Sequence, residues 1–317
     1  MWQPSASFEN LKLRAHIFQS IRNFFAARDV MEVDTPLLCH ASVTDPYIES
    51  IPAAVKSRGE TKTYYLQTSP EYAMKRLLAA GSGAIYQISK AFRQEEIGRF
   101  HNPEFTLLEW YRPTFTHHDL MNEMDELLQT LLNTPAAERK SYAELFQSYL
   151  NLNPHTATLA ELEECAKINS IFVAGEISDR DTWLQLLMSH CIEPTLGTEA
   201  PCFVYDFPMS QAALARIQLT DPKVASRFEV YIEGIELANG FHELTDANEQ
   251  RLRFTKNIAV RKSMGTTLLP IDEFFLSALE HGLPDCAGVA LGLDRLIMIA
   301  SRSKHIKECL SFDFTRA

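Results

Sequence analysis

The sequence has no cysteine pair at metal-binding spacing. Its six cysteines (Cys39, Cys165, Cys191, Cys202, Cys286 and Cys309) are scattered without a C-x-x-C. This pattern points to free thiols in a reducing compartment rather than a disulfide or zinc framework. Ten histidines include no H-E-x-x-H. The neighbours His117 and His118 project in different directions on either a helix or a strand, which argues against a shared metal. Long apolar runs are also missing. The best candidate, GVALGLDRLIMIA, is broken by Asp294 and Arg295, short of the ~18 residues a membrane helix needs. The start, MWQPSASFENLKLR, has no apolar core of a secretory signal, so a cytoplasmic protein is expected. Basic charge is in deficit: 30 Lys and Arg stand against 41 Asp and Glu, a formal net charge of −11. That excludes a general basic coat for nucleic acid but leaves room for a local basic patch.

Familiar nucleotide and hydrolase motifs are absent as well. There is no G-x-x-x-x-G-K-[ST] and no G-x-S-x-G. GSGAIY at 81–86 has Tyr86 where a dinucleotide loop needs its third glycine, and it precedes a strand. What is present is the composition of an ordinary globular protein: 46% hydrophobic and 22% charged residues over 317 positions. That is ample for a large core without staples.

Periodicity gives the organisation. Ile17, Ile21, Phe24 and Phe25 make one apolar face of a helix over 9–29. Pro36 holds Thr35 extended in VMEVDTPLL. YYLQT (64–68), AIYQISKAF (84–92) and FTLLEWY (105–111) read as strands, and Ser69-Pro70-Glu71 as a helix start with Ser69 as its cap. From about 117 to 200 the spacing turns helical, as with Leu120, Met124, Leu127, Leu128 and Leu131. Strands return in CFVYDFP and RFEVYIEGIELANGF, and AGVALGL runs into the helix DRLIMIAS. No repeat and no long linker marks a boundary. This order predicts one α+β domain over 1–317, a mostly antiparallel sheet flanked by helices, with a helical insertion at about 117–200.

Three clusters carry possible chemistry. In FRQEEIGRFHNPEFTLLEWY (92–111), strand alternation puts Arg93 with Glu95 and Glu109 with Tyr111 on common faces. One face then offers a cation for a phosphate, acids for an amine and rings for a base; a charged surface hairpin would read the same way. In GIELANGFHELTD (234–246), Glu236 and Glu243 are two acids that need a metal or an ammonium if they meet, and are otherwise a solvated face. In GVALGLDRL (288–296), Gly288 and Gly292 permit close backbone approach to a ligand, and Arg295 sits in the first turn of the next helix.

Together these clusters resemble the three signature motifs of class II aminoacyl-tRNA synthetases. DTPLL with Pro36 is similar to motif one, a dimer element. FRQE with RFHNPEFTLLEWY is similar to motif two, and GVALGLDRL to motif three. HNPEFTLLEWY, GIELANGFHEL and TSPEYAMKRLL are most similar to the lysyl-tRNA synthetases. The resemblance runs from about residue 10 to the end, which leaves no room for an N-terminal OB-fold anticodon-binding domain. Stable tRNA binding is therefore not expected. That pattern, with EWYRP (109–113) and ELANGFHELTDA (236–247), resembles the elongation factor P–(R)-β-lysine ligases.

The resemblance implies an ATP-dependent, AMP-forming ligase. It would activate (R)-β-lysine, and L-lysine less well, as an adenylate, and transfer it to the ε-amine of a lysine on translation elongation factor P. It implies Arg93 and Arg295 as catalytic residues. ATP would be bound by Arg93, Glu95, His101, Asn102, Phe105, Glu236, Leu237, Gly292 and Arg295, and Mg²⁺ by Glu236 and Glu243. The amino acid would meet Ser69, Pro70, Glu71, Glu109, Tyr111, Glu243 and Ala290. A homodimer is implied by motif one. A ligase for tRNA or a small molecule, or a silent regulatory paralogue, are the alternatives; retention of the arginines and paired acids counts against the last.

Overall fold

A computed structural model describes residues 2–94, 96–173, 175 and 177–317, with Ser57 described by its backbone only. The chain opens with α1 (Phe8–Ala26), β1 (Met31–Glu32), β2 (Leu38–Cys39), β3 (Pro52–Ser57) and β4 (Glu60–Leu66). Then come α2 (Glu71–Ala79), β5 (Ile85–Phe92), β6 (Glu104–Pro113) and α3 (His117–Leu132). β7 (Glu138–Ser141), α4 (Tyr142–Leu150), α5 (Leu159–Ile168) and α6 (Arg180–Leu187) lead to β8 (Cys202–Pro208), β9 (Val224–Ile232) and β10 (Ile235–His242). α7 (Ala247–Met264), α8 (Glu273–Gly282), β11 (Cys286–Gly292) and α9 (Leu293–Ala300) close the chain. This is the expected α+β class, and the long strand pairings are antiparallel.

The contacts divide the chain into two compact units. One comprises 1–114, 245–286 and 290–317; the other comprises 115–244 and 287–289. In the first, β1 runs parallel to β5, and β5 pairs antiparallel with β6 from Ile85↔Tyr111 to Phe92↔Glu104. A separate small sheet has the order β2-β4-β3. α1 forms because Ser7 caps it, its hydroxyl accepting from the Asn10 N–H, and because its apolar residues recur at helical spacing. It ends at Ala26, three residues before the expected 29. Asp29 takes φ 54, and the turn delivers the Val30 N–H to the Phe25 carbonyl. Phe25 stacks on Tyr86 at 4.4 Å and meets the edge of Trp110. One face of the β5–β6 hairpin is thus spent on the core, which leaves the other face for chemistry.

The second unit holds the order β10-β9-β8-β7, with β7 parallel to β8. The run read as RFEVYIEGIELANGF is a hairpin, β9 to β10. Glu233 (φ 53) and Gly234 (φ 72) give the two positive φ values of a tight two-residue turn. The segment 117–200 contains α3 to α6 and the short β7. α3, α4 and α5 each start in a capping box, built on Thr116, Ser141 and Thr158. Tyr142, Phe146, Leu162, Trp183, Leu184 and Ile192 bury their side chains in a core of this unit's own.

Candidate active site

The second face of the β5–β6 hairpin follows from its register. Gln87 stands opposite Glu109 and Ala91 opposite Phe105. Residues directly opposite in an antiparallel pair share a face, and alternation adds Leu107 and Tyr111. Glu109 and Tyr111 are both 2% exposed. The Tyr111 hydroxyl donates to Glu109 Oε1 at 2.6 Å, and the Ser69 hydroxyl donates to Oε2 at 3.0 Å. Ser69 also accepts from the Glu71 N–H at 3.0 Å, while the helix itself begins at Glu71 after Pro70. The cap expected of Ser69 therefore sits one residue outside the regular position, with Pro70 at the N-cap.

Glu71 receives the Lys75 ammonium at 2.6 Å, one helical turn away, and Lys75 is 1% exposed. Lys75 was not among the expected site residues; its i,i+4 spacing from Glu71 was the available signal. Burial, followed by the nearby Glu71 charge, pushes the Glu109 carboxyl up to about 8. This buried cluster sets two acids against the Lys75 ammonium, and a substrate ammonium beside Glu109 would bring it back to its charged form.

Beyond β5 the chain places its arginine. The Arg93 guanidinium lies 5.0 Å from the Phe105 ring centroid and 3.5 Å from Glu96 Oε1. Its backbone N–H donates to the Pro103 carbonyl. Its buried Nε has no hydrogen-bond partner among the described residues. Glu95 lies outside the described residues. Asn102 is committed to backbone: its amide donates to the Glu104 carbonyl at 2.6 Å and its oxygen accepts from the Phe314 N–H at 3.0 Å. It thereby ties the C-terminal tail to the motif-two loop, leaving one amide hydrogen for any further contact.

Arg295, in the first turn of α9, bonds His101 Nε2 at 2.7 Å and the Phe100 carbonyl at 3.3 Å. Arginine only donates, so His101 Nε2 is the acceptor and the ring is neutral. Burial, followed by the Arg295 charge, holds the His101 pKa down. Gly292 ends β11 and caps α9 without a side-chain bond, and Ala290 shares its face by alternation. On the opposite side, Asp294 anchors the helix. It pairs with Arg14 and accepts the Thr106 N–H at 2.7 Å.

The other expected residues belong to the second unit. Glu236 stands opposite Tyr231 on β9, but Ala238 stands opposite Val230, so Leu237 is an extra residue in the ladder. This β-bulge changes the parity of the strand. Glu236 comes onto the face of Asn239 and Phe241, which alternation continues to Glu243. Glu243 is 1% exposed, and its backbone bridges Ala215. Leu237, whose backbone was expected at the nucleotide, is the bulged residue. The same face carries Glu229 and Arg227, which pair, and the Tyr231 hydroxyl donates to Glu229 at 2.6 Å and lies 3.3 Å from Glu193. Burial, with the charges of Glu229 and Glu236, pushes the Glu193 carboxyl up to about 7. Among the described residues no group of three or more His, Cys, Asp or Glu could hold a metal. Two carboxylates on a face this acidic do suit Mg²⁺, which takes one or two protein carboxylates and completes its shell with phosphates and water. No helix among the described residues is long and apolar enough to cross a membrane, and all six cysteines are free thiols.

A family model, tRNA synthetases class II (D, K and N), matches residues 2–316. The chain is 54% identical over 314 residues to the elongation factor P–(R)-β-lysine ligase of Photobacterium profundum, covering 98% of this chain and 97% of that protein. It is 54% identical over 319 residues to the protein of that name from Vibrio cholerae, covering 100% and 98%. The Proteus mirabilis counterpart is 52% identical over 319 residues, with 100% and 98% covered.

Proposed function

Since this chain belongs to the class II (D, K and N) tRNA synthetases, we propose that it is an ATP-dependent ligase that activates a lysine-type amino acid and attaches it to a lysine of elongation factor P. The observation that carries this reading is the buried cluster of Ser69, Glu71, Glu109 and Tyr111, in which Lys75 pairs with Glu71 and leaves Glu109 to be matched by a further cation. A diamino acid supplies it. The relatives bearing the ligase name support the acceptor.

Two steps follow. A carboxylate oxygen of the amino acid attacks the α-phosphorus of ATP, and the bond to the β-phosphate oxygen breaks, releasing pyrophosphate. Arg93 takes the α-phosphate, where charge accumulates in the transition state, and Arg295 takes the outer phosphates. Phe105 stacks on adenine, with His101, Asn102 and Glu95 about the nucleotide and the Leu237 backbone and Gly292 giving it room. Glu236 and Glu243 would hold Mg²⁺, which when bound would supply positive charge to offset that of the phosphates. The deprotonated ε-amine of the acceptor lysine then attacks the adenylate carbonyl, an amide forms and AMP leaves.

We read 1–317 as one catalytic domain with the 117–200 segment as its helical insertion, acting in the cytoplasm. Met31, Leu37 and Leu38 beside motif one are exposed apolar residues, which supports a homodimer. Ala290 would sit at the carboxylate end of the amino acid and favour (R)-β-lysine over L-lysine. One methyl group discriminates by only ~1–3 kcal/mol, so Ala290→Gly should narrow the preference rather than reverse it.

The test is the intact mass of elongation factor P after incubation with the enzyme, Mg·ATP and (R)-β-lysine. One added lysyl unit, dependent on ATP, is the expected result. Pyrophosphate exchange without that gain would move the acceptor to tRNA or a small molecule, and no exchange would sink the ligase reading.

A further inference from the structure

Gln87 takes no part in the chemistry above. It stands directly opposite Glu109 in the β5–β6 ladder, so the two side chains leave the same face with Cβ atoms about 5 Å apart. It is 1% exposed, and neither its amide oxygen nor its amide nitrogen has a hydrogen-bond partner among the described residues. The other polar groups of this face differ: Glu109 is bonded to Tyr111 and Ser69, Glu71 to Lys75, and Ser89 to Gln67. A buried amide left unpaired on both atoms weighs against folding, because each group has given up its water without gaining a partner. Among the described residues nothing offsets that loss, and an apolar side chain of similar volume would fill the same space.

A lysine-type substrate recovers it. Its distal ammonium has three donors and accepts nothing. Glu109 offers one lone pair on each oxygen beyond those used by Tyr111 and Ser69, and a third acceptor is wanted. That acceptor should be neutral, because Glu71 and Glu109 already repel each other, and a third carboxylate would raise the repulsion.

We propose that Gln87 is a substrate-recognition residue whose amide oxygen accepts a hydrogen bond from the distal ammonium of the bound amino acid, beside Glu109. The inference rests on the proposed lysine-type substrate. It assigns Gln87 to discrimination in favour of a distal amine.

The test compares Gln87→Met with the parent enzyme, using (R)-β-lysine and (R)-3-aminohexanoic acid, the same molecule without its distal amine. KM and kcat for (R)-β-lysine and for ATP come from pyrophosphate exchange, and Ki of the analogue from competition. The expected result is a rise in KM for (R)-β-lysine of roughly tenfold to a hundredfold, with the analogue's Ki and the KM for ATP moving less than about threefold. The free variant should also melt no lower than the parent, because an unpaired buried amide has been removed. A purely structural role predicts the reverse: a lower Tm and equal weakening of both ligands. Either that outcome or an unchanged KM for (R)-β-lysine overturns the proposal while leaving the ligase reading intact. Absence of exchange in the parent enzyme overturns the ligase reading and this inference with it. Gln87→Leu repeats the measurement should the Met variant not fold.

Discussion

Glu236 on β10 and Glu243, one residue past its end, fall on one face by alternation although seven positions separate them, because Leu237 is an extra residue in the β9–β10 ladder. In a regular strand an odd separation sends side chains to opposite faces. The bulge thus turns this odd spacing into an acid pair on a shared face, the pair we propose for Mg²⁺, and it leaves the Leu237 backbone without an opposing residue on β9. Substituting either member with its amide should raise the Mg²⁺ concentration for half-maximal pyrophosphate exchange by at least about tenfold, with the melting temperature little changed. A Mg²⁺ titration of Glu236→Gln and Glu243→Gln checks this, and an unshifted midpoint would count against the pair as the metal site.

The Glu109 carboxyl makes stability depend on pH in a definite direction. Its pKa rises from an ordinary 4.5 to about 8 on folding, so the folded state binds more protons than the unfolded chain between those values. Its stabilising contribution is fully present below about 4.5 and is lost as the pH climbs through 8. Thermal unfolding at pH 5 and pH 8.5 should therefore show a larger loss in the parent than in Glu109→Gln. Binding of a diammonium amino acid at pH 7 should also release a proton from Glu109, detectable by calorimetry in buffers of different ionisation enthalpy.

Arg93 combines a planar cation with a ring beneath it. Arg93→Lys keeps the charge but loses both the fork geometry and the stacking on Phe105. Pyrophosphate exchange should fall on the order of a hundredfold, mostly in kcat, since the proposed contact would strengthen as charge builds on the α-phosphate.

Asp294 is 2% exposed and joins α9 to α1 and β6 through Arg14 and the Thr106 N–H. Asp294→Ala leaves the Arg14 guanidinium without its carboxylate and should destabilise by about 3–5 kcal/mol. Urea unfolding measures this directly.

Gly240 lies between Asn239 and Phe241 on the acidic strand, yet its requirement is steric. A Cβ there would come within 2.4 Å of the Phe228 ring and 3.0 Å of the Val289 Cβ. Phe228 is fully buried and cannot move aside freely. Gly240→Ala should cost about 1–3 kcal/mol by overpacking, read as a lowered Tm.

Much of the site was legible because its signals are local. The hairpin 84–111 alternates, so the shared face of Glu109 and Tyr111 follows from parity. The Ser69-Pro70-Glu71 helix start follows from capping chemistry, to within one residue. The class II resemblance of 92–111, 234–246 and 288–296 added the roles. The burial of Lys75 and of Gln87, the residue proposed to meet the distal ammonium, cannot be seen in sequence: Lys75 reads as one more charge on a helix, and Gln87 as a polar residue in an alternating strand.

Short stretches of chain are enough for the α+β class, the hairpin faces and the family, since these depend on side-chain period, turn residues and motif spacing. Packing in three dimensions was needed to place Glu236 and Glu243 on one face, to tie Asn102 to Phe314, to keep His101 neutral against Arg295 and to raise the Glu109 pKa to about 8. Each of these depends on strand register or on which distant groups exclude water from one another, and neither quantity is carried by any local run of residues.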